Sequence, residues 1–334
     1  MLVYVVRRVL VSIPLLVAAS FLAFALTTAM GDPLGEYRLR VPQPTPAQIA
    51  AAEQRIGLDK PFLVRYESWA TDFVRGDWGT TVTPGRGTVD VRDAVTRASW
   101  VSVRLVLGAE LIALVLGVAV GVLSAVRQYS ITDHGVTGLA FLMFSMPMFC
   151  LALMVKEAGI RFNDLLEAAG LGRWLRTAGP PDGGFEGGFA DQVYQYSGTF
   201  LMPTLCLVAL QFAGYSRYQR AAMFDVLESD YVRTARAKGL SQARVVLLHA
   251  LRVALLPICT VVTLGLGGLL AGAVITETVF AWPGTGRLLV EAVTYREPFL
   301  ILALMMVSGV FVIVCNLLAD IGYAVLDPRV RLRG

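Results

Sequence analysis

Apolar residues gather into six long runs along the chain, at about 9–30, 102–126, 136–158, 200–220, 255–279 and 299–323. A helix needs roughly 20 mainly apolar residues to cross the hydrocarbon core of a bilayer. Each run therefore predicts a transmembrane span. The fourth is the weakest, because Arg217 and Arg220 interrupt its end. The first is too long for the apolar core of a cleavable signal, and Met30-Gly31-Asp32-Pro33 is a poor cleavage site, so it is read as a retained span.

Between the runs the pattern changes. In 31–100, Thr45-Pro46 with Gln48 marks a helix start: an N-cap, a proline in the first turn and a capping-box residue three after the cap. Gly57 ends that helix, and a second runs from about Lys60 to Arg75 before Gly76. Phe62, Tyr66, Trp69 and Phe73 share one face of the second helix. That face predicts packing on the first of these two helices or seating in the headgroup belt; docking of an external partner is the alternative. Segment 170–198 carries Pro180-Pro181-Asp182-Gly183-Gly184 and Glu186-Gly187-Gly188, turn signals that predict a mobile loop, with a lid or partner contact as the alternative.

In 221–252, Ser229 or Asp230 is placed to cap a short helix from Tyr231 to Lys238. Gly239 then supplies a left-handed C′ position, and a new helix restarts at Ser241. Arg233, Arg236 and Lys238 alternate with Ala235 and Ala237. Small residues permit close approach, and the cations offer charge pairing. Two readings stay open: an ordinary basic loop, or a compact helix that plugs into a cytoplasmic protein.

Composition agrees with membrane residence. Hydrophobic residues make up 56% of the 334 and charged residues 16%, against about 25% charged in soluble domains. A net charge of +4 is too small to argue for nucleic acid. The lysines are Lys60, Lys156 and Lys238, and none sits in the Gly-Lys-Ser/Thr of a phosphate-cradling loop. Any ATP chemistry must then come from another subunit. Cys150, Cys206, Cys259 and Cys315 lie in apolar runs without CxxC spacing and read as buried hydrophobes, and His134 and His249 lie far apart. Neither a catalytic nor a metal-binding set emerges, so the chain is not read as an enzyme.

With the N-terminus inside, thirteen Arg and Lys fall in inside segments and five in the two later outside ones. The loop 31–100, with nine basic and nine acidic residues, is long enough to translocate regardless of charge. The expectation is an all-α polytopic membrane protein with six transmembrane helices and both termini cytoplasmic. Its parts are a first span (1–30), an extracytoplasmic helical loop (31–100), a five-helix core (101–323) and a cytoplasmic tail (324–334). The core holds an extracytoplasmic insertion at 159–198 and a cytoplasmic loop at 221–252.

Ionisable groups at membrane depth are costly and face an interior or water. Glu110 reads either as a structural hydrogen-bonding group or as lining a pathway. Lys156 and Glu157 are placed to snorkel at the end of the third span. Glu277 precedes the turn forced by Pro283-Gly284 and reads as a structural or gating anchor. Asn316 and Asp320, four apart, share a helix face and suggest an interhelical or subunit-interface bond.

Taken together, several stretches resemble the permease subunits of dipeptide/oligopeptide ABC importers, B type. DYVRTARAKGL (Asp230 to Leu240) is similar to that family's form of the EAA coupling loop. TETVFAWPGTGRLLVEAV (Thr276 to Val293) and LDPRVRL (Leu326 to Leu332) resemble its C-terminal signatures. GDP at Gly31, GLDKP at Gly57 and RGDWG at Arg75 resemble its N-terminal ones. Arg233 stands where the general importer pattern has Glu, and Leu251-Arg252 where it has Leu-Pro, as is usual in the peptide branch. Segment 159–198 is longer and richer in Gly than the family pattern.

The resemblance implies a type I importer fold in a bacterial cytoplasmic membrane. It also implies a second permease subunit, two nucleotide-binding ATPase subunits that hold ATP and Mg, and an extracytoplasmic peptide-binding protein. No cofactor is expected in this chain. Coupling to the ATPase would fall to Asp230, Arg233, Ala235, Arg236, Ala237, Lys238, Gly239 and Leu240. Relatives that import nickel or other solutes have similar subunits, so the cargo stays open at this point. An ion-driven transporter often shows an internal repeat, and none is visible between 1–160 and 161–334. An intramembrane enzyme would need a motif such as HExxH or GxSxG, and both are absent.

Overall fold

The structure, a computed structural model, describes residues 2–38, 43–81, 89–180, 185 and 187–326, apart from the side chains of 2–5, 36, 55, 263–272 and 319–326. Helix α1 spans Leu2–Ala29, and the segment after it holds α2 (Gly35–Arg38), α3 (Pro46–Ile56) and α4 (Phe62–Arg75). Then come α5 (Val91–Val126), α6 (Ile131–Ser145), α7 (Met148–Ala168) and α8 (Phe189–Leu227). The short α9 (Asp230–Ala237) leads through α10 (Gln242–Arg244) and a π-helical turn (Val245–Ala250) into α11 (Leu251–Val279). Helices α12 (Thr285–Thr294) and α13 (Pro298–Leu326) follow. Among the described residues there is no strand beyond an isolated bridge between Thr80 and Asp90. The all-α class expected from the sequence is the class observed.

Among the described residues, five helices are long and apolar enough to cross a bilayer, and the bent pair α6–α7 makes a sixth candidate. The pair corrects the third expected span. The run 136–158 is not one helix but two, at 110° to each other. Pro147 has no N–H for a helical bond, and it drives the preceding residue out of the α region; Met146 is extended at φ −81°, ψ 130°. Helices α5 and α8 overrun their apolar runs, at 36 and 39 residues. At 1.5 Å per residue each is well over about 50 Å long, beyond the ~30 Å hydrocarbon core. Their polar ends therefore extend past the membrane.

The chain folds as two compact units. One comprises residues up to Ser102 together with Pro283–Val314; the other comprises Val103–Trp282 and the chain from Cys315. In the first unit the loop helices form where expected. Thr45 and Gln48 make both halves of a capping box, and α3 and α4 stop at left-handed Gly57 and Gly76. The aromatic face of α4 packs on α1 rather than on α3: Phe24 lies 5.7 Å from Trp69 and Phe21 lies 5.2 Å from Tyr66, ring to ring. The Tyr66 and Ser20 hydroxyls join at 2.8 Å. Leu302 of α13 completes that cluster.

In the second unit α5 crosses α8 closely in parallel. A Cβ on Gly117 would lie 2.5 Å from the Cβ of Tyr215, and one on Gly121 would lie 2.7 Å from that of Gln219. This small-xxx-small spacing lets backbones approach where burial of apolar surface gives no driving force. The segment 169–180 is not a free loop. Buried Asn163 accepts from the N–H groups of Trp174 (3.1 Å) and Leu175 (2.9 Å) and donates to the Leu175 carbonyl (2.6 Å). The Gly179 N–H donates to the Phe280 carbonyl at 2.7 Å. Residues 181–184 and 186, with most of the Gly-rich stretch, and 327–334, with most of LDPRVRL, lie outside the described residues.

Candidate functional site

Helix α9 begins one residue earlier than its sequence suggested, at Asp230. Ser229 sits extended at the N-cap, but its hydroxyl donates backwards to the Val226 carbonyl instead of capping. The C-terminus closes as a Schellman motif. Gly239 has φ +78°, its N–H donates to the Arg236 carbonyl (2.9 Å), and the Leu240 N–H donates to the Ala235 carbonyl (3.4 Å). A Cβ at Gly239 would meet nothing within 4 Å, so the demand for glycine is conformational rather than steric.

The helix has a seated face and a free face. Val232 and Ala235 are buried in a cluster with Ala125 of α5, Met223 of α8, and Val245, Val246, Ala250 and Ala254. Leu240 packs against the same cluster. Asp230, Arg233, Arg236, Ala237, Lys238 and Gly239 are exposed. Arg233 lies 3.9 Å from Asp230, both well solvated. Of the expected coupling residues, Ala235 points inward, three residues from Val232 on one helical face. Val232 was the missing anchor, and the same spacing would have found it.

A polar seam runs along α8 towards α9. The Tyr215 hydroxyl donates to Glu110 of α5 at 2.5 Å, and Gln211 donates to Tyr215 (3.0 Å) and more weakly to Glu110 (3.5 Å). Glu110 is 5% exposed and Tyr215 2%. One turn on, Gln219 is fully buried with neither end of its amide paired. Next to it, Arg220 donates twice to Asp133 of α6, Nε to Oδ1 at 2.7 Å and Nη2 to Oδ2 at 2.8 Å. The Ser124 hydroxyl and the Tyr129 N–H complete the Asp133 shell. Arg217 lies 5.0 Å from the rings of both Phe141 and Phe144. The two arginines that weakened the fourth run are thus matched, one by a carboxylate and one by aromatic faces. Asp133, Arg220, Tyr215 and Gln211 escaped the sequence reading. The available hint was Asp133 three residues after the cap Ser130.

The remaining expected residues scatter. Glu277 is fully buried near the end of α11, where its carbonyl accepts from Trp282 (2.7 Å). Lys156 is half-buried and donates to the Val279 carbonyl (2.7 Å), so it caps the C-terminus of α11 instead of snorkelling. Glu157 pairs with Arg161 on the exposed side of α7. Asn316 is half-buried on α13, and the side chain of Asp320 lies outside the described residues.

Helices of bilayer length, joined by a buried polar seam and by extramembrane helices, make this a polytopic α-helical membrane protein. The chain belongs to the family of binding-protein-dependent transport system inner membrane components, whose pattern matches residues 117–332. It is therefore a membrane permease component with the type I ABC importer transmembrane fold. It is 40% identical to the oligopeptide transport system permease protein OppB of Mycobacterium tuberculosis (strain ATCC 25618 / H37Rv), over 98% of this chain and 99% of that one. It is 34% identical to the oligopeptide permease AppB of Bacillus subtilis (strain 168), over 98% of each chain. It is also 34% identical to the dipeptide permease DppB of Escherichia coli (strain K12), over 99% of each.

Proposed function

We infer that this chain is the membrane-spanning subunit of an ATP-driven importer that moves di- or oligopeptides across the inner membrane by alternating access. The names of its relatives support peptides over nickel or another small solute. A second permease subunit and two ATPase subunits complete the importer, with ATP and Mg bound by the latter. An extracytoplasmic peptide-binding protein delivers the cargo. The N-terminus lies inside, so α9 faces the cytoplasm.

The observation that carries the reading is the two-sided construction of α9. Its inner face is packed on the ends of α5 and α8 and on the start of α11, while Arg233 and Arg236 stand exposed. A cleft in the ATPase with acceptor groups would hold those guanidiniums. Because Val232 and Ala235 leave no slack beneath, a shift of the seated helix moves the spans with it.

The test is Gly239→Val in the assembled importer, with Gly239→Asn alongside. A β-branched residue resists φ near +78°, whereas Asn tolerates it. The Val variant should lose its ATPases or its substrate-stimulated ATP hydrolysis, and the Asn variant should keep both. Wild-type coupling in the Val variant would remove α9 from the role. Labelling of Lys238 from outside intact cells would overturn the orientation.

A further inference from the structure

Gln219 stands apart from its polar neighbours on α8. It is fully buried, and among the described residues neither the oxygen nor the nitrogen of its amide has a hydrogen-bond partner. That amide carries two N–H donors and an acceptor oxygen. The side chains around it are matched: Tyr215 by Glu110, Gln211 by Tyr215 and Glu110, and Arg220 by Asp133. A buried polar group without a partner is destabilising, and an apolar side chain of the same shape at such a site is neutral or stabilising. For this packing alone, methionine would serve better than glutamine.

The approach of α5 is what strands the amide. Tyr215 and Gln219, four residues apart, share the face of α8 that meets Gly117 and Gly121 of α5. A Cβ on Gly121 would lie 2.7 Å from the Gln219 Cβ and 3.0 Å from its Cγ. The backbone of α5 thus lies directly against the stem of the side chain and shuts water out there. Withdrawal of that one helix uncovers the glutamine. We propose that Gln219 is a positioning residue for the transport cycle: its unpaired amide destabilises the close packing of α5 on α8, and separation of the two helices lets the amide bond to water. The penalty built into the closed packing keeps that arrangement from becoming a dead end, since packed helices have discrete alternatives whose balance it sets. This rests on the reading of the chain as the moving subunit of an importer.

Two glutamines on one helix supply the test. Gln211→Met takes a donor from Glu110 and Tyr215, so the thermal midpoint of the purified full-length chain should fall. Gln219→Met removes two unpaired groups at nearly constant volume, so the midpoint should rise, by about 2 °C. In the assembled importer, Gln219→Met should cut substrate-stimulated ATP hydrolysis about tenfold, the change in balance that one unpaired buried group gives. A merely structural residue would lose stability and activity together; here they move in opposite directions. A lower midpoint for Gln219→Met, or failure of that variant to fold, would mean that the amide is paired, by a buried water if by nothing else, and would overturn the proposal. A raised midpoint with unchanged ATP hydrolysis would overturn it too, because the penalty would then have no part in the cycle. Absence of substrate-stimulated hydrolysis in the unmodified assembly would instead sink the importer reading itself.

Discussion

Two buried carboxyl groups lean on α8, and the helix answers them differently. Asp133 meets a guanidinium side by side, at 2.7 and 2.8 Å. Glu110 meets a phenol and an amide, and no cation among the described residues. Breaking the first contact leaves a charge stranded; breaking the second leaves groups that other neutral donors can satisfy. The Asp133–Arg220 pair therefore acts as a hard clamp between α6 and α8, close to the cluster that seats α9. The Glu110 contact is the softer joint, further along the same pair of helices. A transporter that rearranges its spans needs both kinds of joint: a stiff one where force enters and a compliant one where helices part.

The sharpest challenge to this contrast is Arg220→Ala. Removing one partner of a buried ion pair costs about 3–5 kcal/mol. Arg220 keeps 29% of its side chain exposed, which places the cost near the low end, about 3 kcal/mol. Adding Asp133→Asn should recover most of the loss in thermal unfolding of the purified chain. The contrast breaks if Arg220→Ala costs no more than a lost neutral hydrogen bond. Next in size is Gly121→Leu. Its side chain would press on the Gln219 Cβ and the Ser216 carbonyl, forcing α5 from α8 at about 1–3 kcal/mol. Gly108→Leu is the control, because a Cβ there meets nothing within 4 Å. Equal midpoints for the two would mean that the α5–α8 approach is not tight. Tyr215→Phe should cost about 1–2 kcal/mol by leaving Glu110 short of a donor, and Glu110→Gln in the same chain should return part of it.

What the sequence made legible was local. The capping box at Thr45 and Gln48, the stops at Gly57 and Gly76 and the left-handed Gly239 depend on residues within a turn of one another, and each appeared where expected. Five of the six apolar runs also emerged as long apolar helices among the described residues, since span length is set by the bilayer, and the third as a bent pair. The misses were contacts made across the chain. Asp133 and Arg220 are 87 residues apart, and read alone Arg220 looked like a flaw in a span. Asn163 pins a segment whose composition suggested mobility. Pro147 was visible, yet averaging over an apolar window hid the 110° bend it imposes. Val232, the buried partner of Ala235, was missed although it lies three residues away on the same helical face.

The finest test separates the two carboxyl sites by the same chemical change. Ser124→Ala and Tyr215→Phe each delete one hydroxyl donor from a buried carboxyl group. At Asp133 three donors remain, two from Arg220 and one from the Tyr129 N–H. The guanidinium still opposes the carboxylate charge, and alanine leaves no orphan behind. The cost of Ser124→Ala should then stay below about 1 kcal/mol, the typical net worth of one neutral hydrogen bond. At Glu110 the deletion leaves, among the described residues, a long contact to Gln211 and nothing else. Thermal midpoints should therefore fall less for Ser124→Ala than for Tyr215→Phe. The reverse order would show that the hydroxyl, not the guanidinium, holds Asp133, and the clamp would then be no harder than the joint.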